Sequence, residues 1–166
     1  MTKKCYRFFG GLLTAQANWL NKMAAKGYRL IETKKMLYEF EQCAPEEYQY
    51  QIEFVGAKTQ EDAENYLAFL QEVGYKVWFK NINLNYSIAK IRWRPWADKG
   101  GQIATNLTTY NKELLIVEKK NNCQKFVLHT TVKDKQAYYR SLRKPWLFLF
   151  CFILFLTIFF KCGLWE

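Results

Sequence analysis

Three glutamates have the types and spacing that could support chemistry. Glu39 and Glu41 alternate with Tyr38 and Phe40, and Glu53 ends a second alternating stretch. Alternation of this kind predicts half-buried strands with the carboxylates on a polar face. Paired carboxylates can carry out acid–base catalysis, but one face of an antiparallel sheet is more often simply solvated. We therefore predict a solvated acidic face on adjacent strands and treat it as a candidate interaction surface.

A basic and aromatic segment is the second candidate. Arg92, Trp93 and Arg94 interleave cations with an indole, a pattern that suits stacking on nucleic-acid bases. In a tethered protein it suits a membrane interface better, so we add these three residues to the candidate interaction face. His129 has no neighbouring serine or cysteine and no metal-ligand spacing. We interpret it as structural, since catalysis would need a partner within reach.

The remaining motifs argue against catalysis and against a bound cofactor. The sequence contains no C-x-x-C pair, phosphate-cradling glycine loop or serine-nucleophile motif. A single histidine and an odd number of cysteines make a zinc site improbable. We expect no metal, no cofactor, no enzymatic activity and reduced thiols in a cytosolic setting. The cysteines are Cys5, Cys43, Cys123, Cys151 and Cys162.

A C-terminal apolar run is the element around which the chain is organised. Residues 146–160 carry no charge and are apolar on every side, which requires burial in a large core or in lipid. Extension to Trp165 gives about 30 Å of helix, enough for a bilayer core. Lys161 can snorkel to the interface. We predict a transmembrane anchor over residues 145–166; the alternative is a buried core helix, because a 15-residue run is short for a span. Its marker positions are Trp146, Phe150, Ile153, Phe155, Phe159 and Trp165.

Basic residues precede this run and set the expected orientation. They are Lys133, Lys135, Arg140, Arg143 and Lys144. Positive charge stays on the cytoplasmic side, so residues 133–144 are predicted to form a basic juxtamembrane helix, broken or bent near Pro145. We expect a single-pass protein of the cell membrane with a cytoplasmic N-terminal domain. The charged N-terminus, with no long apolar run after it, does not resemble a secretory signal.

Charge is unevenly distributed over the chain. The net charge of +10 divides into +6 for residues 1–31, −7 for residues 32–72 and +11 for residues 73–166. A uniformly basic protein would suggest nucleic acid, whereas a basic membrane-proximal end suits anionic lipid. The expected partners are therefore the lipid bilayer and a membrane or regulatory protein, not nucleic acid. A small-molecule ligand remains open.

The periodicities predict an α+β body over residues 1–132. Two strand–helix–strand–strand repeats, about 5–42 and 48–94, would form antiparallel sheet covered by two helices, and residues 112–131 would form a hairpin around two asparagines. An offset of 47 residues superimposes Trp19 on Tyr66 and Gly27 on Gly74. Each glycine is placed where a helix must end with a left-handed residue. Chance is a rival explanation, because an amphipathic helix followed by glycine and a strand is common.

The sequence also resembles a known family. The stretches WLNKMAAKGYRL (residues 19–30), YEFEQCAPEEYQYQIEF (38–54) and LAFLQEVGY (67–75) are similar to the bacterial domain of unknown function 2812. The resemblance covers residues 5–94 and implies a Gram-positive cytoplasmic domain, often followed by membrane segments and encoded beside PadR-type repressors. It implies no activity and no catalytic residue. After Arg94 the chain is expected to depart from the family by adding a hairpin and keeping one anchor.

Two functions follow as hypotheses. The first is a membrane-tethered regulatory or adaptor domain that holds a protein partner through its acidic sheet face or a sheet edge. The second is a small-molecule sensor, because tandem strand–helix–strand–strand units resemble GyrI-like effector-binding modules, in which a pocket forms between the repeats. Such a pocket would be lined by aromatic rings, with a glutamate for a lipophilic cation.

Overall fold

The computed structural model describes most of the chain. It covers residues 2–56, 60–82, 86–88, 91–93, 103–104, 113–124, 126, 128 and 132–163. Within these ranges, the side chains of residues 60, 86–88, 91–93, 103–104, 132–135, 141, 162 and 163 are outside the description. The elements in order are β1 (Thr2–Tyr6), α1 (Leu13–Ala25), β2 (Tyr28–Thr33), β3 (Leu37–Gln42), β4 (Tyr48–Phe54), α2 (Gln60–Glu72), β5 (Lys76–Lys80), β6 (Tyr86–Ile88), β7 (Ile91–Trp93), β8 (Ile103–Ala104), β9 (Leu114–Lys120) and α3 (Val132–Gly163). The α+β class predicted from the sequence is confirmed.

The first sheet is antiparallel, with strand order β1-β3-β2. Tyr38 and Phe40 point from its central strand into the core and are 1% and 0% exposed. Helix α1 contributes Leu20 and Met23 to the same core, as expected for an amphipathic helix that covers a sheet. Met36, predicted to share the buried face, precedes β3 and is 47% exposed. The half-buried character predicted for β3 itself is correct.

The second sheet repeats this strand order, as β4-β9-β5, and is also antiparallel. Ile52 and Ile116 on one face join the core that contains α1. Leu115 and Val117 on the other face join a second core, to which α2 contributes Leu70. Both faces of this sheet are therefore covered, in contrast to the one-sided sheet that the alternating sequence predicted.

The second repeat is assembled differently from the prediction. We expected residues 86–94 to supply its last strand, but β6 and β7 pair with each other, and β7 pairs with β8. The central strand between β4 and β5 is β9, which lies much later in the chain. The hairpin predicted for residues 112–131 is also wrong, because β4 and β5 occupy both edges of β9. In that hairpin's second half, the described residues 124, 126 and 128 form no strand.

The two equivalent glycines behave as predicted. Gly27 follows α1 with a φ of 78°, and Gly74 follows α2 with a φ of 87°. Their amides donate to Ala24 O and Gln71 O, at 2.9 Å in each case. Left-handed glycines that close a helix in this way are a common terminating device.

Helix α3 is continuous over 32 residues and contains Pro145 in its interior. The sequence predicted two pieces, a basic helix over 133–144 and an anchor after it. In the structure both belong to one helix, so the break expected at Pro145 is not present.

Candidate functional site

The first turns of α3 are part of the core. Tyr138 is 4% exposed, and its hydroxyl donates a 2.8 Å hydrogen bond to Gly11 O. Its ring lies 4.5 Å from the Phe54 ring, between centroids. The neighbouring Tyr139 hydroxyl accepts a hydrogen bond from Thr14 N over 3.2 Å. These contacts fix the helix to both sheets, because Tyr138 belongs to the same core cluster as the residues of β3 and β4.

The rest of α3 is apolar and uncovered. Helix residues Gln136–Lys161 are long and apolar enough to cross a membrane, with a mean hydropathy of 1.8 over an 18-residue window. Trp146, Phe150 and Phe159 are each more than 60% exposed, and Ile153 is 52% exposed. No part of the described chain packs over this surface. The alternative that the run forms a buried helix in the body's core is therefore wrong for the described residues.

The charged residues before the run lie on an exposed surface of α3. Arg140, Arg143 and Lys144 are exposed. Lys133 and Lys135 belong to the same helix, but their side chains fall outside the described set, as does all of Trp165. Because α3 is already anchored at Tyr138, the basic segment is a structural part of the body, not a separate juxtamembrane helix.

The acidic face of the first sheet is largely neutralised by ion pairs. Glu39 lies 3.4 Å from Lys4 Nζ, across the β1–β3 pair, and only 14% of its side chain is exposed. Glu41 lies 3.5 Å from the Arg29 guanidinium and is 44% exposed. This face of the sheet therefore carries both acidic and basic side chains, contributed by β1, β2 and β3. Each exposed pair of this kind contributes about 0–1 kcal/mol to stability.

Glu53 does not belong to this face. It lies on β4 in the second sheet, is 6% exposed and accepts a 2.5 Å hydrogen bond from the Tyr66 hydroxyl of α2. Burial and the carboxylate together raise the pKa of Tyr66. The solvated position predicted for Glu53 is wrong, because α2 covers the face that the alternation left polar. Arg92 and Trp93 lie on β7 with undescribed side chains, and Arg94 and His129 fall outside the described residues.

A buried charged cluster was missed in the sequence. Glu118 on β9 is 3% exposed. One of its oxygens accepts hydrogen bonds from Arg29 Nε at 3.0 Å and from Arg29 Nη2 at 2.8 Å. Its second oxygen accepts from the Tyr50 hydroxyl at 2.7 Å, and that hydroxyl accepts from Leu30 N at 2.9 Å. The hydrogen bond to Glu118 raises the pKa of Arg29. Desolvation, followed by the Glu118 charge, raises the pKa of Tyr50. The Arg29–Glu118 and Leu30–Tyr50 contacts join the two sheets, and the Tyr50–Glu118 bond links β4 to β9 within the second sheet.

A buried lysine forms a second such junction. Lys80 on β5 is 5% exposed, and its ammonium donates to Thr33 Oγ1 at 2.8 Å, to Lys35 O at 2.7 Å and to Lys34 O. It also lies 4.1 Å from the centroid of the Tyr38 ring. Burial lowers the pKa of Lys80 to about 8. All three protons of the Lys80 ammonium are donated to the end of β2 and the β2–β3 turn, so this group has a structural role.

An open groove runs along the outer edge of β4. Its volume is about 410 Å³. Asn21 of α1 closes part of this edge, since its amide donates to Tyr50 O and its carbonyl accepts from Tyr50 N. Gln49 Oε1 is buried in the groove wall without a hydrogen-bond partner. The lining is aromatic and polar, and consists of Asn21, Ala25, Glu46, Tyr48, Gln49, Tyr50, Gln51, Asn121 and Phe126.

Metal-binding groups are not assembled among the residues described. No cluster of three or more histidine, cysteine, aspartate or glutamate side chains occurs within that part of the chain. Cys5, Cys43, Cys123 and Cys151 are free thiols, and burial raises the pKa of Cys43, which disfavours its reactive thiolate form.

A family model described as "Protein of unknown function (DUF2812)" matches residues 13–151. The chain belongs to this family. The match includes α1, β9 and the first part of α3, so the limit that we expected at Arg94 is wrong, while the single anchor stays a prediction. No curated protein matches the chain. No solved structure matches it.

The range of the DUF2812 match agrees with the way the body is built. Strand β9 completes the second sheet and Tyr138 completes the core, so a shorter unit ending at Arg94 would lack both. Sequence reasoning missed Glu118 and Lys80 because each stands at or near the end of its strand, where a charged side chain is ordinarily solvated. The one available signal was their position in predicted strands next to long apolar residues.

Proposed function

We propose that this DUF2812 protein is a single-pass membrane-tethered adaptor domain that presents its body to a protein partner on the cytoplasmic side. The observation that carries the proposal is the double role of α3. The helix is held in the core by Tyr138, and from Trp146 it exposes the apolar part of Gln136–Lys161, the segment that is long and apolar enough to cross a membrane. A rigid connection of this kind would transmit a defined orientation from the membrane to the body.

The side chains of the body support a binding role over a catalytic one. Three buried ionisable groups of the body are committed to structural bonds: Glu118 to Arg29, Glu53 to Tyr66, and Lys80 to the β2–β3 turn. A catalytic acid or base needs access to substrate. The exposed face of the first sheet, with Glu39 and Glu41, is the best remaining surface for a partner.

The proposed orientation follows from the basic residues before the span. Arg140, Arg143 and Lys144 lie on the body side of the apolar run, where positive charge favours the cytoplasm. A reporter fused after Glu166 should therefore be active only outside the cytoplasm. Cytoplasmic activity of that fusion would contradict the topology.

Partner binding is tested by affinity capture of the full chain from native membranes. The variant Glu39→Gln/Glu41→Gln is compared with Glu61→Gln/Glu72→Gln, which removes the same charge from exposed positions on α2. We expect a membrane protein that is retained by the wild type and the α2 variant and lost from the sheet variant. Equal retention by both variants, or no specific partner, would count against the adaptor.

A sensor of lipophilic cations is the second candidate, and the groove beside β4 favours it. Tyr48 supplies a half-buried aromatic ring, and Glu46 supplies an exposed carboxylate at the rim. Aromatic faces attract cations. The test is thermal denaturation of the full chain in detergent with tetraphenylphosphonium. At about 100 times its dissociation constant, a bound ligand adds about 2.7 kcal/mol. The shift should shrink in Glu46→Gln, and its absence would remove this candidate.

A further inference from the structure

One end of the body exposes a set of large apolar side chains. Tyr6, Phe8, Leu12 and Met36 are 76%, 54%, 53% and 47% exposed. The first three lie between the end of β1 and the start of α1, and Met36 lies in the β2–β3 turn. The two segments are adjacent, because Arg7 N donates a 2.8 Å hydrogen bond to Met36 O. These four residues are called the apolar rim.

The apolar rim lies where α3 leaves the body. Gly11, one residue before Leu12, accepts the Tyr138 hydrogen bond. A methyl group placed on Gly11 would lie 3.3 Å from Leu142 Cδ1. Trp146 follows Leu142 by one helical turn, a rise of about 6 Å. The rim residue Leu12 is therefore next to the part of α3 that leads into the apolar run.

Most charges around the apolar rim are positive, although the exposed Glu32 lies 3.1 Å from Lys34 Nζ and pairs with it. Residues 6–12 and 34–36 contain Arg7, Lys34 and Lys35 and no acidic residue. Arg143 and Lys144 are exposed on the adjacent part of α3. Arg7 is exposed, and its guanidinium lies 5.4 Å from the centroids of the Phe9 and Trp19 rings, within cation–π range. Aromatic rings combined with cations are typical of membrane interfaces.

We propose that the apolar rim and its cations form a second membrane contact, which lies in the headgroup region of an anionic leaflet beside α3. The inference rests on the proposed membrane tether and extends it from an anchor to an oriented attachment. Lipid is the occupant that the observations favour, since the rim lies beside the part of α3 that leads into the apolar run and most of its flanking charges are positive. A body fixed at two points on the bilayer would keep one orientation relative to the membrane surface.

The test uses the full chain reconstituted into lipid nanodiscs. Amide hydrogen exchange of residues 6–12 is compared among nanodiscs of phosphatidylcholine alone, nanodiscs with about one-third phosphatidylglycerol, and detergent micelles. We expect exchange to slow on the order of tenfold in the anionic nanodiscs relative to micelles. The protection should be smaller in phosphatidylcholine and should fall with added salt, because surface charge is screened.

Two variants provide the matched comparison. Phe8→Asp/Leu12→Asp places charge in the rim, and aspartate at position 12 is a better N-cap for α1 than leucine, so the fold should persist. Phe69→Asp/Val73→Asp changes two apolar residues on α2 that are 45% and 50% exposed. The rim variant should lose the lipid-dependent protection and the α2 variant should keep it.

The outcomes separate this inference from the tether. The anchor alone is tested with the chain reconstituted into vesicles of the same lipids. A chain that is anchored resists extraction from these vesicles at alkaline pH. If the chain is integrated but residues 6–12 exchange equally in lipid and detergent, the membrane contact of the rim is overturned and the tether stands. Protection that depends on protein concentration and not on lipid charge would assign the rim to a second copy of the chain and also overturn the proposal. A chain that is extracted overturns both.

Discussion

The guanidinium of Arg29 lies 2.8 Å from the carboxylate of Glu118 and joins the edge strand of one sheet to the central strand of the other. Arg29 also lies 4.3 Å over the Tyr48 ring, and Glu118 receives the Tyr50 hydroxyl. The same arginine forms a second, exposed pair with Glu41. One side chain thus allows a buried and an exposed ion pair to be compared directly.

Replacing Arg29 by methionine should destabilise the body by about 3–5 kcal/mol, because it leaves the Glu118 charge buried without its partner. Glu41→Gln removes only the exposed pair and should cost less than about 1 kcal/mol. Urea unfolding of the full chain in detergent, followed by tryptophan fluorescence, measures both. Similar losses of unfolding free energy in the two variants would show that the buried pair contributes no more to stability than the exposed pair.

The burial of Glu118 illustrates what sequence periodicity can and cannot predict. The apolar residues Leu114 to Val117 indicated the first strand of the predicted hairpin, and β9 occupies this part of the chain. Its position between β4 and β5 depends on pairing with residues far earlier in the chain, which local alternation does not encode. The strand itself was predictable, whereas the fact that both faces of its sheet are covered was not.

The candidate site likewise combines local features that the sequence predicts with tertiary contacts that it does not. The apolar run, its length and the basic residues before it are local features, and the exposed far end of α3 agrees with them. The docking of Tyr138 against Gly11 and Phe54 is a tertiary contact, so the sequence placed residues 133–144 outside the body. Glu53 was misplaced for a related reason: α2 packs over the side of β4 that looked polar.

Gly11→Ala should destabilise the protein more than Gly74→Ala does. Both glycines have a positive φ, of 81° and 87°, and this strain alone costs about 1–2 kcal/mol for alanine. At Gly74 the new methyl group meets nothing within 4 Å, but at Gly11 it would lie 2.6 Å from the Tyr138 hydroxyl. The overlap should add about 1–3 kcal/mol. Thermal melts of the two variants in the same detergent provide the comparison, and equal losses would contradict the docking of α3 at Gly11.

Because of Lys80, the free energy of unfolding should depend on pH in the alkaline range. Burial holds its pKa at about 8, below the ordinary value of 10.5, so between these values the folded state binds fewer protons than the unfolded state. The free energy of unfolding should therefore rise with pH across this window, by at most about 1.4 kcal/mol per pH unit. The raised pKa values of Tyr38 and Tyr50 oppose folding only above about pH 10.

The measurement is the difference in unfolding free energy between the wild type and Lys80→Met at several pH values from 7.5 to 9.5. Taking the difference cancels the other titrating groups. The wild type should gain stability relative to the variant as the pH rises, even though methionine leaves the Thr33 hydroxyl and the Lys35 carbonyl without the ammonium. A difference that does not change with pH would mean that Lys80 retains its ordinary pKa.

Neutralising Arg140, Arg143 and Lys144 to glutamine should weaken the membrane orientation without unfolding the body. All three side chains are exposed, whereas Tyr138 and Leu142 on the same helix make the core contacts. Because orientation follows the positive charge next to the span, a fraction of the chains should insert with the C-terminus in the cytoplasm. Paired reporters fused after Glu166, one active in each compartment, measure that fraction. The control replaces Lys22, Lys26 and Lys76 by glutamine, which removes the same charge far from the span along the chain and should leave the orientation unchanged.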